Sequence, residues 1–137
     1  YASVYGHLKA AVEELASALE ARGQKVSVFD LARDDMAEAV EDAFRYDRLV
    51  LASITYQGEI FPFMSTFFHT LAEHAYQNRA VALVEAGSWA PAAAKVMTKE
   101  LEGMKDITLA QNKVTVLGSL NDASRAQIEA LADELSK

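Results

Sequence analysis

Along the chain, short apolar runs alternate with longer segments in which hydrophobic residues recur at helical spacing. The longer segments repeat apolar residues every three or four positions, as Val12, Leu15 and Leu19 do among glutamates. Four runs are predicted to be strands: KVSVFDL, DRLVLASI, RAVALVEAG and NKVTVLGSL. Strands that alternate with amphipathic helices predict an α/β fold, with a parallel sheet covered by helices on both faces.

Residues with known capping preferences mark the ends of the predicted helices. Gly23 is placed to end the first helix in a left-handed conformation, and Asp34 or Asp35 is placed to cap the start of the second. The later helices are predicted from Pro62 to about Tyr76, from Pro91 to about Leu101, and from Ala123 to Ser136 after a cap at Asn121 or Asp122.

The first strand departs from this pattern. Only residues 1–3, YAS, stand before the first turn in a position to form the end of a strand. The upstream half of that strand is not in the sequence. Either the strand starts outside the given sequence, or the domain is built with a truncated first strand. In a doubly wound sheet this strand would be central, and its length would therefore matter for stability.

Composition narrows the class of protein. The 137 residues suffice for one domain with a sizeable core and are too few for two, so residues 1–137 are predicted to form a single domain. The formal net charge of -7 disfavours nucleic acid and anionic membranes as partners and favours a basic protein. The absence of cysteine excludes thiolate chemistry and fits a reducing cytoplasm, which is where we expect the protein.

Four loops follow the carboxyl ends of strands, where open α/β sheets bind their ligands. They cover residues 3–8, 55–61, 86–90 and 119–122. The first is small, contains Gly6 and leads into a helix, which suits a phosphate group held by backbone N–H groups. It is equally consistent with an ordinary strand-to-helix turn. Tyr56 and Trp89, on the second and third loops, could stack on a flat aromatic ligand or could pack against their own loops.

Three stretches at these loops carry a resemblance to a known family. YASVYGH, LASITYQGEIFPFM and VEAGSWAPAAAKVM resemble the flavodoxin-like domain of flavodiiron proteins, also called A-type flavoproteins. The resemblance runs from Tyr1 to about Leu120. It implies a flavodoxin-like, doubly wound sheet of five parallel strands in the order 2-1-3-4-5, with helices on both faces. The missing half of the first strand would fill a gap beside residues 26–31.

The resemblance also implies a cofactor and a role. One non-covalent FMN would supply the redox chemistry, and the domain would pass electrons within a flavodiiron-type oxygen or nitric oxide reductase. The implied partner is a redox protein or a diiron domain, and a homodimer is a further option. Catalysis would belong to the larger oxidoreductase, because no catalytic residue or metal site is predicted in this chain.

The implied cofactor site draws on the first three loops. The first loop would hold the phosphate of FMN through backbone and side-chain donors of Ser3, Tyr5, Gly6 and His7. The flavin ring would lie between the second and third loops. The implied cofactor contacts are Ser3, Val4, Tyr5, Gly6, His7, Leu8, Thr55, Tyr56, Gln57, Gly58, Ala86, Gly87, Ser88 and Trp89.

Two positions depart from the family pattern. Leu8 stands where the family usually has Thr or Ser, and Ala86 stands where it usually has Asn. We expect Leu8 to add bulk beside the phosphate and to remove a hydrogen bond worth about 1.5–3 kcal/mol, or one to two decades of affinity. His7 could replace part of that loss. A second hypothesis follows, in which the domain has lost FMN and its aromatic loop residues serve interaction or dimerisation.

Other polar groups are expected to lie at the surface. His69 and His74 are five positions apart and do not share a helix face, so we expect surface residues and not metal ligands. An acidic stretch is either a solvated helix face or a docking surface for a basic redox partner. Its members are Asp34, Asp35, Glu38, Glu41 and Asp42. A flavin-dependent quinone reductase is a weaker third class, because the sequence lacks a GxGxxG nicotinamide motif.

Overall fold

Five helices and five strands form the described part of the chain. The computed structural model describes residues 1–2, 6–56, 59–60, 62–87, 92–117 and 120–136. The helices are α1 (Gly6–Ala21), α2 (Met36–Arg45), α3 (Pro62–Glu73), α4 (Ala93–Leu101) and α5 (Asp122–Leu135). The strands are β1 (Arg48–Tyr56), β2 (Glu59–Ile60), β3 (Arg79–Gly87), β4 (Ile107–Leu109) and β5 (Val114–Leu117).

The sheet is built on the parallel pair β1 and β3. Their register runs from Arg48 opposite Ala80 to Ile54 opposite Ala86. The other edge of β3 carries two short parallel strands, β4 beside its first residues and β5 beside its last. Together β4 and β5 act as one edge strand that residues 110–113 interrupt. The short β2 folds back antiparallel onto the end of β1.

The first two residues of the chain take the place of the truncated first strand. Ala2 forms a parallel bridge with Ser53, and its N–H donates to the carbonyl of Ala52 at 3.0 Å. On the other side, the Tyr1 amine donates to the carbonyl of Phe29 at 2.6 Å, and the N–H of Leu31 donates to the Tyr1 carbonyl at 2.8 Å. Residues 1–2 therefore lie between residues 29–31 and β1. The segments follow the predicted order 2-1-3-4-5.

The predicted strand KVSVFDL is wrong, because residues 24–30 have no regular secondary structure. A strand is held by backbone hydrogen bonds to a neighbour, and within the described residues only Tyr1 provides such bonds here. A cavity of about 210 Å³, which Tyr1 lines, separates residues 24–29 from β1. Its lining is mainly apolar and includes Val26, Leu15 and Leu51. The cavity lies where the sequence predicts the gap beside the truncated strand.

Helices cover both faces of the sheet, as predicted. Side chains of β3 alternate between two core clusters, so that Leu83 enters one and Val84 the other. The first cluster packs β1 and β3 against α2, α3 and α4, and the second packs them against α1 and α5. This arrangement confirms the α/β, doubly wound fold.

The predicted helix caps are confirmed where the structure describes them. Gly23 has a φ of 83°, which is the left-handed conformation expected after α1. Asp35 caps α2 by accepting the N–H of Ala37, and Asn121 forms a capping box with Ser124 at the start of α5. Pro91 lies outside the described residues. The strands β2 and β4 were not predicted, since neither has more than three residues.

Replacing Tyr76 with Phe is expected to stabilise the fold. The Tyr76 ring packs edge-on against Phe44 in the first core cluster, but its buried hydroxyl has no hydrogen-bond partner among the described residues. Burial also raises the pKa of this phenol to about 12. Tyr76→Phe should raise the free energy of unfolding by about 1 kcal/mol, since it removes a buried polar group that gains nothing in return. Urea denaturation measures this, and a loss of stability would show that the hydroxyl has a partner.

Filling the cavity beside β1 is also expected to stabilise the fold. Three valines added before Tyr1 would extend the pairing along β1 and place apolar side chains in the cavity. Each valine that becomes fully buried should raise the free energy of unfolding by about 1.5 kcal/mol. Three residues of sequence Ser-Gly-Ser form the control, because they extend the backbone without the apolar side chains. Equal melting temperatures for the two extended chains would contradict this account of the cavity.

Candidate functional site

The carboxyl ends of the parallel strands meet at one edge of the sheet. Ala86, near the end of β3, pairs with Ile54 of β1 on one side and with Val116 of β5 on the other. Ala2 pairs with Ser53, so the start of α1 at Gly6 follows at this same edge. The predicted convergence of the loops is therefore confirmed for the residues that flank them. We call this region the carboxyl edge.

The first predicted loop ends in two side chains with opposite environments. His7, in the first turn of α1, is exposed to solvent, where it is free to approach a ligand. Leu8 is fully buried in the second core cluster, together with Ala52, Ala86 and Val116. The expectation that Leu8 adds bulk beside a phosphate is therefore wrong, because its side chain packs into the core beneath the edge. Ser3, Val4 and Tyr5 lie outside the described residues, and of Gly6 only its place in α1 is described.

The second predicted loop leaves β1 after Thr55 and Tyr56. The Thr55 hydroxyl oxygen accepts the backbone N–H groups of Ala92 at 2.8 Å and of Ala93 at 3.2 Å. Thr55 therefore connects the end of β1 to the start of α4. Tyr56 pairs with Glu59 at the β-hairpin, which fixes its backbone at the carboxyl edge. Gln57, Gly58 and Phe61 lie outside the described residues.

The third predicted loop leaves β3 after Ala86 and Gly87. Ala86 is buried in the second core cluster, so its side chain faces the same side of the sheet as Leu8. Gly87 ends the strand opposite Leu117. Ser88 and Trp89 lie outside the described residues. Their contribution to a site stays a prediction.

Glu85 is a polar residue at this edge that the sequence analysis did not single out. It is only 3% exposed, although it carries a carboxylate. One oxygen accepts the N–H of Ala94 at 3.0 Å, and the other accepts the Thr115 hydroxyl at 2.9 Å and lies 3.5 Å from the Lys113 ammonium. The available signal was a single acidic residue in the apolar run that follows Arg79 in β3, since a buried carboxylate needs a positive charge or hydrogen-bond donors.

The remaining predicted polar residues lie at the surface. His69 and His74 are both exposed, as expected, and His74 makes an edge-on contact with the Phe44 ring. Four of the five residues in the acidic stretch are exposed, and Asp42 is half-buried. Within the described residues no group of three or more histidine and acidic side chains could hold a metal ion. In that same part of the chain, no helix is long and apolar enough to cross a membrane.

Solved structures with the same architecture exist. The chain superposes on rubredoxin oxygen:oxidoreductase from Desulfovibrio gigas with a TM-score of 0.92, at 17% identity, over 99% of this chain and 34% of that one. It superposes on an archaeal flavodoxin with a TM-score of 0.84, at 17% identity, over 98% of this chain and 91% of that one. The chain has a flavodoxin-like fold.

Other comparisons limit what the flavodoxin-like fold implies. A third structure, the Flv1 flavodiiron core from Synechocystis, gives a TM-score of 0.88 at 15% identity, over 99% of this chain and 34% of that one. The flavodoxin-like chain thus spans about a third of the length of the flavodiiron proteins that it matches. No family model matches the sequence, and no curated protein matches it. Identities this low establish the fold and leave the function to be argued from the site.

Replacing Leu8 with Thr is expected to destabilise the protein. The substitution places a hydroxyl in an apolar cluster and leaves a small void, which should cost about 2–4 kcal/mol. Leu117→Thr is the matched control, because Leu117 lies at the same edge but is 52% exposed, and it should change stability little. Thermal and urea denaturation of the two variants measure this. Equal stability of both variants would show that the Leu8 side chain is not in the core.

Proposed function

We propose that this flavodoxin-like domain binds FMN at the carboxyl edge and transfers electrons to a protein partner. The observation that carries the proposal is the meeting, at one edge, of the start of α1 with the ends of β1 and β3. Open α/β sheets bind ligands outside the carboxyl ends of their strands, at the point where strand order reverses. Here that point lies between residues 1–2 and β1.

The start of α1 supports a phosphate site. The helix has 16 residues, and its first N–H groups have no partners within the helix. Such groups, together with the helix dipole, attract anions. No acidic side chain stands in its first turn, so nothing on the helix repels a phosphate there. The exposed His7 side chain, in this first turn, could add a donor.

The core position of Leu8 bears on whether the residues present fit FMN. Because Leu8 packs into the core, its lack of a hydroxyl removes one donor without blocking the edge. Binding would then depend on backbone N–H groups at the start of α1 and on residues 3–5, which precede it in the sequence. Gly87 and the backbone of Tyr56, at the ends of β3 and β1, would line the ring site. FMN would supply the redox chemistry when bound, and the protein would orient it and shield it from water.

The electron-transfer role rests on charge and on the structural neighbours. A net charge of -7 suits docking to a basic redox protein, and the exposed acidic residues on α2 offer one surface for it. The neighbours include a flavodoxin of nearly the same length and flavodiiron proteins three times as long. A diiron domain is therefore an alternative partner to a separate redox protein.

A second candidate function is an interaction module that has lost FMN. The specific observation in its favour is that Leu8 and Ala86 are both apolar and belong to one buried cluster. Neither side chain offers a hydrogen bond at the carboxyl edge. The two candidates differ in a single measurable property, the affinity for flavin.

Flavin titration is the test of the proposed function. The purified protein, freed of bound flavin and shown to be folded by circular dichroism, is titrated with FMN while flavin fluorescence is followed. We expect saturable quenching, together with the absorbance shift of a bound flavin. Riboflavin is the matched control, because it lacks the phosphate, and it should bind at least about tenfold more weakly if α1 holds the phosphate. No quenching at high micromolar FMN would favour the interaction module instead.

A further inference from the structure

The outer strands β4 and β5 carry two exposed leucines on the side of the sheet that α4 covers. Ile107 packs against the first core cluster, so Leu109, two positions later, projects to that same side. The buried residues of β5 belong to the second core cluster on the opposite side, and Leu117 alternates with them, so it also projects toward α4. Leu109 is 38% exposed and Leu117 is 52% exposed. They lie about 20 Å apart along the edge, opposite Val81 and Gly87 of β3.

The two ends of this edge differ in shape. Leu109 lines a cavity of about 230 Å³ between β4 and the end of α4. The apolar part of the lining also includes Leu101, Met104 and Ile107. A cavity of this volume accepts an apolar group of side-chain size. At the other end, Leu117 is an apolar side chain that is more than half exposed. The edge therefore has a cavity at one end and an exposed leucine at the other.

The face of α4 beside this edge carries one charge of each sign. Lys95 and Glu102 are seven positions apart, with Thr98 between them, so the three residues share one face of the helix. Thr98 and Glu102 line the cavity, which shows that this face is turned toward β4. Lys95 and Glu102 are both exposed, and neither has an ion-pair partner among the described residues. Both charges are therefore available to another molecule.

The direction of α4 places these charges at opposite ends of the edge. The N–H of Ala94, in the first turn, donates to Glu85 near the end of β3, whereas the last turn lines the cavity beside β4. Lys95 therefore lies toward the Leu117 end, and Glu102 lies at the cavity. We call this region the α4 surface, and it comprises Lys95, Thr98, Glu102, Leu109 and Leu117.

The net charge of this region differs from that of the whole chain. Residues 95–117 contain four lysines and three acidic residues, whereas the chain carries a net charge of -7. Salt at physiological concentration screens more distant charges beyond about 8 Å. The α4 surface is therefore unsuited to a basic partner, and it does not strongly repel a second copy of this chain.

We propose that the α4 surface is where two copies of this chain associate about a two-fold axis. About such an axis every contact occurs twice, because the same surface of each copy meets the other. With α4 antiparallel to its copy, Leu117 of each chain enters the cavity beside Leu109 of the other. Lys95 of each chain then meets Glu102 of the other. The surface is complementary to itself in both shape and charge, which makes a second copy its partner.

Side chains form this contact, because α5 already occupies backbone groups of the outer edge. The N–H of Thr115 donates to the Gln127 side chain at 2.8 Å. The N–H groups of Gln111 and Asn112 donate to the Glu134 carboxylate at 2.8 and 2.9 Å. Free N–H groups at a strand edge would be open to pairing with other strands. With these groups occupied, association depends on the cavity, the leucines and the charges of the α4 surface.

Sedimentation velocity of the purified chain measures the association. Contacts of this limited size predict a weak dimer, with a dissociation constant of about 10–100 μM, so the chain should change from monomer to dimer between about 1 and 200 μM. Leu117→Asp should raise the dissociation constant at least about tenfold, because it removes the leucine that enters the cavity. Phe63→Asp is the control and should not change it, since Phe63 is an exposed apolar residue of α3, outside the α4 surface. A chain that stays monomeric throughout this range would overturn the proposal.

Exchange of charges tests the two-fold geometry. Lys95→Glu and Glu102→Lys each place like charges opposite one another, and each should raise the dissociation constant about three- to tenfold. Mixed in equal amounts, the two variants pair opposite charges at both contacts, so association should return to that of the original chain. Glu100→Lys is the control, because Glu100 lies on a different face of α4. In samples that circular dichroism shows to be folded, a dimer that Leu117→Asp and the two charge variants leave unchanged would overturn the proposal.

Discussion

The parallel pairing of β1 with β3 is the constraint on which the rest of this structure depends. It holds seven residue pairs in register, from Arg48 and Ala80 to Ile54 and Ala86. Because parallel strands need crossover connections, the pairing places helices on both faces and brings the strand ends to one edge. The start of α1, the β-hairpin and the start of α4 all meet there. The proposed ligand site at that edge would be a consequence of the topology, and its chemistry would depend on the loops.

Polar groups inside this sheet are few, and they serve connections between elements. Glu85 and Thr55 stand in largely apolar strands, and each accepts backbone N–H at the start of α4. Glu85 is buried and Thr55 is partly buried, and their hydrogen-bond partners compensate for the loss of water. The opposite face of the same edge is apolar, with Leu8 and Ala86 in one cluster. The carboxyl edge therefore has a polar side toward α4 and an apolar side toward α1.

The sequence predicted the features that depend on interactions between residues close together in the chain. The apolar run RAVALVEAG predicted β3 with its bounds, and Gly23, Asp35 and Asn121 predicted helix ends, because burial and capping depend on near neighbours. The strand predicted at residues 25–31 failed because a strand also needs a paired backbone. The direction of the Leu8 side chain and the partners of Glu85 could not be predicted, since both depend on helices packed from distant parts of the chain.

The central claim is that the carboxyl edge is where this flavodoxin-like domain binds FMN. Its most direct test is the change in backbone amide NMR signals when FMN is added to the isotope-labelled protein. The account predicts that the largest changes fall at the start of α1, at the ends of β1 and β3, and at the start of α4, with little change along α5. Changes centred on the cavity beside residues 24–29, or no change in a folded protein, would contradict it.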